Sequence, residues 1–243
     1  MPPLRLYADL AIWWPLLSHP DDYSGEADWI IATFEAAMGT RPTTILELGS
    51  GGGNMASHLS KHAHMTLVDL SPQMLAMSRK LNPHAEHIEG DMRTVRLGRN
   101  FDAVLIHDAI MYMTSEDDLA AAFATACAHL APDGIALVQP DFVAETFTPG
   151  IETGGHDADD ASGRGLRYMT WTHAPAAGAT VHHTDFAMLL RKPNGEVETV
   201  HERHTTGLFP RDAWRAAFVR AGFAPPEIVT DLWKRDVFVA RPA

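Results

Sequence analysis

Residues 43–59 read TTILELGSGGGNMASHL. An apolar run of strand length ends at Leu48, glycines stand at 49, 51, 52 and 53, and a helical pattern starts near Asn54. Glycine allows a tight turn after a strand and lets backbone N–H groups approach a ligand at the start of the next helix. The order Gly49-x-Gly51-x-Gly53, preceded by Glu47, departs from the G-x-G-x-x-G fingerprint of dinucleotide folds. A plain strand-to-helix turn is the simpler alternative, and the surrounding pattern decides against it.

Short apolar runs at 64–69, 85–90, 101–107 and 134–139 continue the strand series begun at 43–48. Helical stretches at 53–62, 72–81 and 116–131 lie between them. Strands that alternate with helices and are apolar nearly throughout form a parallel sheet covered on both faces. The fold class is therefore α/β, doubly wound. Upstream, 4–18 and 24–38 read as helices, the second with Ile30, Phe34, Ala37 and Met38 at helical spacing and Glu26 and Asp28 in its first turn. Downstream, 141–164 reads as a long loop, and 165–174, 179–191 and 196–206 as antiparallel strands. Pro193-Asn194-Gly195 supplies a hairpin turn. Helix 211–221 and strands 227–233 and 236–240 close the chain. The organisation expected is an N-terminal helical lid (1–40), an α/β core (41–140 and 207–243) and an inserted antiparallel β element (141–206). Ligands of open parallel sheets bind beyond the carboxyl ends of the strands, so the insertion is placed to roof that end.

Three acids close three successive strands beside the glycine loop: Glu47, Asp69 in VDLS and Asp91 in EGDMR. A carboxylate in the position of Asp69 can accept both hydroxyls of a ribose, and one in the position of Asp91 can accept an adenine amine. With these residues in view, the chain resembles the class I S-adenosylmethionine-dependent methyltransferase family. ELGSGGGN is similar to its first motif, VDLSPQML to its second and EGDMR to its third. FDAVLIHDAIMYM and HLAPDGIALVQPD resemble the stretch from its fourth to its fifth strand. The resemblance implies a seven-stranded Rossmann-like sheet and S-adenosyl-L-methionine as cofactor. It implies that Gly49, Ser50, Gly51 and Gly53 hold the methionine portion and Asp69 the ribose. Leu70, Met74, Met92 and Asp91 would surround the adenine, and the His107 backbone would face the methionine amine. GDMRTVRLGRNFDAV and QPDFVAETF resemble bacterial small-molecule enzymes, including those that dimethylate amino-sugar nucleotides. By that likeness Tyr7 and Tyr23 of the lid would bond the methionine carboxylate. Pro140-Asp141-Phe142 stands where such enzymes often carry paired tryptophans.

Methyl transfer from a sulfonium needs alignment and exclusion of water, and a base when the nucleophile arrives protonated. His107 and Tyr112 follow the fourth strand at the correct end of the sheet, and His156 lies on a Gly-rich loop leading out of the fifth. In HERH (201–204) a strand puts His201 and Arg203 on one face and Glu202 and His204 on the other. The catalytic candidates are His107, Tyr112, His156 and His204. That strand alternation opposes a chelate by His201 and His204, and no metal is assigned. Tyr168 and Trp171 can stack on a ring or an ammonium group.

With 31 acidic against 19 basic side chains, the net charge of −12 opposes a phosphate-backbone or anionic-membrane partner. No apolar run approaches the roughly 20 residues of a membrane helix, and the start shows no secretory signal. A single cysteine, Cys127, excludes an internal disulfide and suits the cytoplasm. The expected protein is a cytoplasmic monomer or homodimer that methylates N or O of a small molecule in biosynthesis. Two alternatives remain: a non-methylating elimination or cyclisation on the same scaffold, and a cofactor-binding partner subunit.

Overall fold

In the computed structural model, which describes residues 4–243, the chain forms two sheets. The strands in chain order are β1 (Thr44–Leu48), β2 (His64–Asp69), β3 (Glu86–Glu89), β4 (Phe101–Ile106) and β5 (Leu130–Val138). They continue with β6 (Gly150–Gly154), β7 (Gly165–Thr172), β8 (Val181–Arg191), β9 (Val197–Gly207), β10 (Glu227–Thr230) and β11 (Asp236–Ala240). The first sheet runs β10-β11-β5-β4-β1-β2-β3, with β1 to β5 parallel and β11 antiparallel to both its neighbours. The chain winds outward from β1 through β2 to β3, then restarts at β4 on the other side of β1. That reversal opens a crevice between the carboxyl ends of β1 and β4.

The helices are α1 (Trp14–Leu17), α2 (Ser24–Met38), α3 (Asn54–Leu59), α4 (Pro72–Leu81), α5 (Glu116–Ala128) and α6 (Arg211–Arg220). Alternate residues of each central strand face opposite layers. Leu46, Leu48, Val104, Ile106 and Val138 pack on one face with Phe123 of α5 and Trp214 and Phe218 of α6. Ile45, Leu67, Leu105 and Leu137 pack on the other with Ile30 and Phe34 of α2 and Met55 of α3. Each such fully buried side chain stabilises by about 1.5–3 kcal/mol, so this sheet is the rigid frame of the site. Helix α4 coincides with its expected range because its ends are locally encoded. Ser71 Oγ accepts from the Met74 N–H at 3.1 Å, and Pro72 occupies the first turn.

The second sheet, β6-β7-β8-β9, is antiparallel throughout. Its inner face (Leu166, Met188, Leu190, Val200) is covered by Leu6, Leu10, Trp13 and Leu16 of the N-terminal segment. The segment expected as one helix over 4–18 is instead two 3-10 turns, Arg5–Tyr7 and Ala11–Trp13, followed by α1. Pro15 lacks an N–H and would clash inside a continuous helix; it sits in the first turn of α1, where neither matters. The expected loop 141–164 contains β6, which pairs with β7 from Gly150↔Thr172 to Gly154↔Tyr168. Strand β5 starts earlier than expected, at Leu130, with a register shift between Phe101↔Leu130 and Ala103↔Ile135 that absorbs Pro132-Asp133-Gly134. Among the described residues no helix is long and apolar enough to cross a membrane.

Candidate active site

The loop after β1 carries its glycines in left-handed backbone, with φ of +80° at Gly49, +52° at Gly51 and +78° at Gly53. A side chain at Gly49 would collide with Ala109 and with Met92 Cε. The Gly51 N–H donates to Asp69 Oδ2 at 2.7 Å and the Ser71 N–H to Asp69 Oδ1 at 2.8 Å, which locks the ends of β1 and β2 together. Burial pushes the Asp69 carboxyl up, against these N–H donors. Glu47 is 2% exposed, and its Oε2 has no hydrogen-bond partner. Burial, opposed by His107 and reinforced by Asp69, lifts the Glu47 carboxyl to about 8. The buried Ser50 Oγ is also without a partner. Buried polar atoms are nearly always paired, so an orphaned carboxyl oxygen beside a glycine cradle fits a ligand that brings a cation, against which the group ionises. A methionine moiety offers one.

Several expected cofactor contacts have other local partners. Gly53 faces Ser78 and Asn82 of the α4 region, and a Cβ there would strike both. Its lack of a side chain lets the loop pack closely on α4. Asp91 accepts from the Arg93 N–H at 2.8 Å and from its guanidinium at 2.6–3.1 Å; Arg93 also reaches Asp118 at 2.8 Å. The acid expected at the adenine is therefore already paired with Arg93. Leu70 is exposed, Met92 partly buried and Met74 buried, with Met74 Cε against Gly51 and Gly52. Trp14 lies over Gly52, a contact with no signal in the sequence.

At the end of β4, His107 is enclosed. Its Nδ1 is 3.2 Å from Asp108 Oδ2, and its Nε2 is 3.1 Å from Glu26 Oε1, off the line of a hydrogen bond. Burial opposes its charge, but Asp108 and Glu26 outweigh burial and raise it to about 9. Both ring nitrogens thus face carboxylates, and the side chain is held as a cation within this buried cluster. Tyr23 stacks edge-on to it at 6.1 Å and bonds Ser18 at 2.8 Å. Glu26, expected as a helix-dipole acid, is buried and bonded by Arg235 and by Gln139 at 2.7 Å. Only an acid whose side chain turns inward at the first turn of α2 reaches this cluster, and residue spacing does not reveal that turn.

The third feature is a chain of four side chains drawn from three parts of the sequence. Tyr7 Oη lies 2.7 Å from Tyr112 Oη, Tyr112 Oη 2.8 Å from His204 Nδ1, and His204 Nε2 2.7 Å from Glu202 Oε1. The backbone N–H of Arg5 donates to Glu202 Oε2 at 2.5 Å, and Phe186 packs on the His204 ring at 4.5 Å. The structure thus brings Tyr112 and His204 together, adds Tyr7, and supplies Glu202, which the strand alternation of HERH had already set on the His204 face. His156 does not join them. It is exposed, its ring lies 5.8 Å from that of His19, and its backbone bonds Leu16 and Leu166. The 154–156 segment runs along β7, with Gly154 paired to Tyr168. Among the described residues no group of three His, Cys, Asp or Glu side chains is arranged to hold a metal.

The model of the methyltransferase domain family matches residues 45–134. A Streptomyces venezuelae dTDP-3-amino-3,4,6-trideoxy-alpha-D-glucopyranose N,N-dimethyltransferase is 30% identical over 93% of this chain and 94% of its own. The crystal structure of Streptomyces venezuelae DesVI superposes with a TM-score of 0.83 at 28% identity, over 97% of this chain and 96% of that one. The S-adenosylmethionine-bound structure of CalS10, an amino pentose methyltransferase of Micromonospora echinaspora, gives a TM-score of 0.77 at 26% identity. It covers 91% of this chain and 92% of that one.

Proposed function

The chain belongs to the class I S-adenosylmethionine-dependent methyltransferase family, in its bacterial amino-sugar N-methyltransferase-like branch, and on that premise we propose that it methylates the amino nitrogen of a small amino sugar. It is an enzyme of biosynthesis acting on a small molecule, with S-adenosylmethionine as cofactor. The cofactor supplies a methyl group already activated on a sulfonium, which leaves alignment, exclusion of water and proton management to the chain. Gly49, Ser50 and Gly51 would cradle the methionine portion, with Glu47 opposite its amine and Asp69 at the ribose. Leu70, Met74 and Met92 would border the adenine.

The chain Tyr7–Tyr112–His204–Glu202 carries the reading of a nitrogen acceptor. Burial pushes Glu202 up, but bonds from His204 and the Arg5 and Leu6 N–H groups outweigh it and keep the group ionised. An ionised carboxylate only accepts, so His204 Nε2 donates to it. A neutral imidazole then accepts at Nδ1, which makes Tyr112 the donor there and Tyr7 the donor to Tyr112. One lone pair of Tyr7 Oη is left for an incoming ammonium. As each hydroxyl hands on its proton, the acceptor loses one, and His204 becomes an imidazolium against Glu202. The order of roles is that of a carboxylate–imidazole–hydroxyl relay. Burial holds both tyrosines above their ordinary range, so they pass protons as neutral hydroxyls rather than as tyrosinates.

The test is release of S-adenosylhomocysteine from S-adenosylmethionine in the presence of 3-amino- and 4-amino-deoxyhexosides. Expected is stoichiometric release with a product heavier by one or two methyl groups. Binding of S-adenosylhomocysteine by calorimetry with no turnover of any amino sugar would overturn the assignment of the acceptor. The relatives named above are methyltransferases, and no feature of the site favours the non-methylating alternative.

A further inference from the structure

One of the four glycines in the loop after β1 has no backbone reason to be glycine. Gly49, Gly51 and Gly53 lie at positive φ, whereas Gly52 does not. A side chain at Gly52 would instead meet the indole of Trp14, whose Cδ1 stands 2.7 Å and Nε1 2.9 Å from the Cβ position. The ring edge that carries the N–H thus rests on the loop. Trp14 is partly buried, and its Nε1 is enclosed with no acceptor. An indole N–H only donates, and an enclosed one nearly always has a partner. The ring is also fixed in place. Trp14 opens α1, where Pro15 sets the first turn and the Ser18 N–H donates to the Trp14 carbonyl at 2.9 Å. The Tyr7 ring packs on the indole at 5.7 Å, and the Tyr7 carbonyl accepts from Ser71 Oγ just beyond β2. Asn54 Nδ2, at the start of α3, donates to the Ser18 carbonyl at 3.0 Å.

We infer that the Trp14 indole N–H donates to the carboxylate of the cofactor's methionine portion. This contact rests on S-adenosylmethionine as cofactor and deepens that assignment by one residue; it does not depend on which amine is methylated. The unpartnered atoms along the loop divide by sign. Glu47 Oε2, ahead of the loop, belongs to an acid and suits the ammonium. Ser50 Oγ within the loop and Trp14 Nε1 over it can both donate. The methionine portion carries one cation and one anion, and this set matches it end for end. Other donors near the loop are already engaged. The Gly49 and Ser50 N–H groups donate to the Val68 carbonyl at 2.7 and 3.0 Å, Gly51 to Asp69 and Gly53 to the Ser50 carbonyl. Tyr7 gives its one proton to Tyr112, and Tyr23 Oη is paired with Ser18 Oγ at 2.8 Å. A carboxylate at this loop therefore draws on side chains, and the indole is held with its N–H there in advance.

The Trp14→Phe variant keeps an aromatic ring over Gly52 and removes the N–H. Two ligands separate these roles: S-adenosylhomocysteine, and its decarboxylated analogue, which retains the amine, the thioether and the adenosine. By calorimetry, Trp14→Phe should weaken S-adenosylhomocysteine about tenfold, the scale of one bond to a charged group, and the analogue less than about twofold. A second measurement needs no variant. In wild type, the indole N–H resonance of Trp14, assigned through its proximity to the Tyr7 ring, should shift on addition of S-adenosylhomocysteine and stay in place with the analogue. Equal weakening of the two ligands, unchanged affinity for S-adenosylhomocysteine, or an indole signal that responds alike to both overturns the inference and leaves Trp14 as packing on Gly52. A wild-type chain that binds neither ligand would instead overturn the cofactor assignment on which the contact rests.

Discussion

The two faces of the inserted sheet carry the same residue types in opposite circumstances. On the outer face Asp185 accepts from His173 at 2.6 Å, His201 at 2.8 Å and Arg203 at 2.7 and 2.9 Å, with His201 64% and Arg203 55% exposed. On the inner face Glu202 and His204 are 9% and 3% exposed, beneath the N-terminal segment. Four consecutive residues, His201-Glu202-Arg203-His204, feed both faces. Water screens the outer set, so its ion pairs contribute little. The inner set has lost its water, so each member depends on the next, and removing one leaves a buried group without a partner. Contact geometry is alike on the two sides, and burial makes the difference.

Substitutions should separate the faces. The largest effect is expected from Glu202→Ala, which strands His204 and two backbone N–H groups and should cost about 4 kcal/mol in urea unfolding. Asp185→Ala should cost less than about 1 kcal/mol. Similar losses for the two would erase the distinction.

The buried set around His107 should next reveal itself through pH. An ordinary imidazole titrates at 6.5 and this one at about 9, so the folded chain holds a proton that the unfolded chain releases between those values. The resulting stability is complete below pH 6.5, declines from 6.5 to 9 and is absent above, a span of about 3 kcal/mol. Glu47, raised from 4.5 to about 8, also lowers stability as pH rises through that range. The difference between wild type and His107→Gln therefore isolates the histidine: it should shrink from pH 6.5 to 9. Parallel curves would show that His107 is neutral in the fold.

Catalysis should follow the inner face alone. His204→Gln should lower kcat about 10²-fold, equivalent to about 2.7 kcal/mol, with the dissociation constant of S-adenosylhomocysteine unchanged. Asp185→Ala should leave kcat within twofold or so. Equal losses in kcat and cofactor affinity for His204→Gln would assign the residue to cofactor binding.

Much of the frame was legible because local rules and burial agree there. Strands β1, β2 and β4 are apolar on both faces, and α4 and α5 carry a serine cap at their first turns. The glycine loop and Asp69 could be read for the same reason, since left-handed backbone restricts residue choice. The pairing of Glu202 with His204 was half legible, as strand alternation fixed their shared face but not what covers it. Glu26 and Arg235 could not be found from spacing. They are 209 positions apart and meet only because α2 packs beside the β10–β11 turn. His156 misled because a Gly-rich loop has no periodicity from which to read direction.

By itself the sequence determined the doubly wound sheet, the turn at its centre and the acids that close its strands. These follow from the chain's periodicity and from glycine's freedom at positive φ. Tertiary structure alone decided that the N-terminal segment, two 3-10 turns and α1, would cover the inserted sheet. It also decided that Tyr7, Tyr112, His204 and Glu202 would form one hydrogen-bonded chain and that Glu26 would meet Arg235. Each of these depends on removing water from between residues distant in sequence. A side chain's partner, charge and role are settled only when that water leaves, and residue order does not encode that locally.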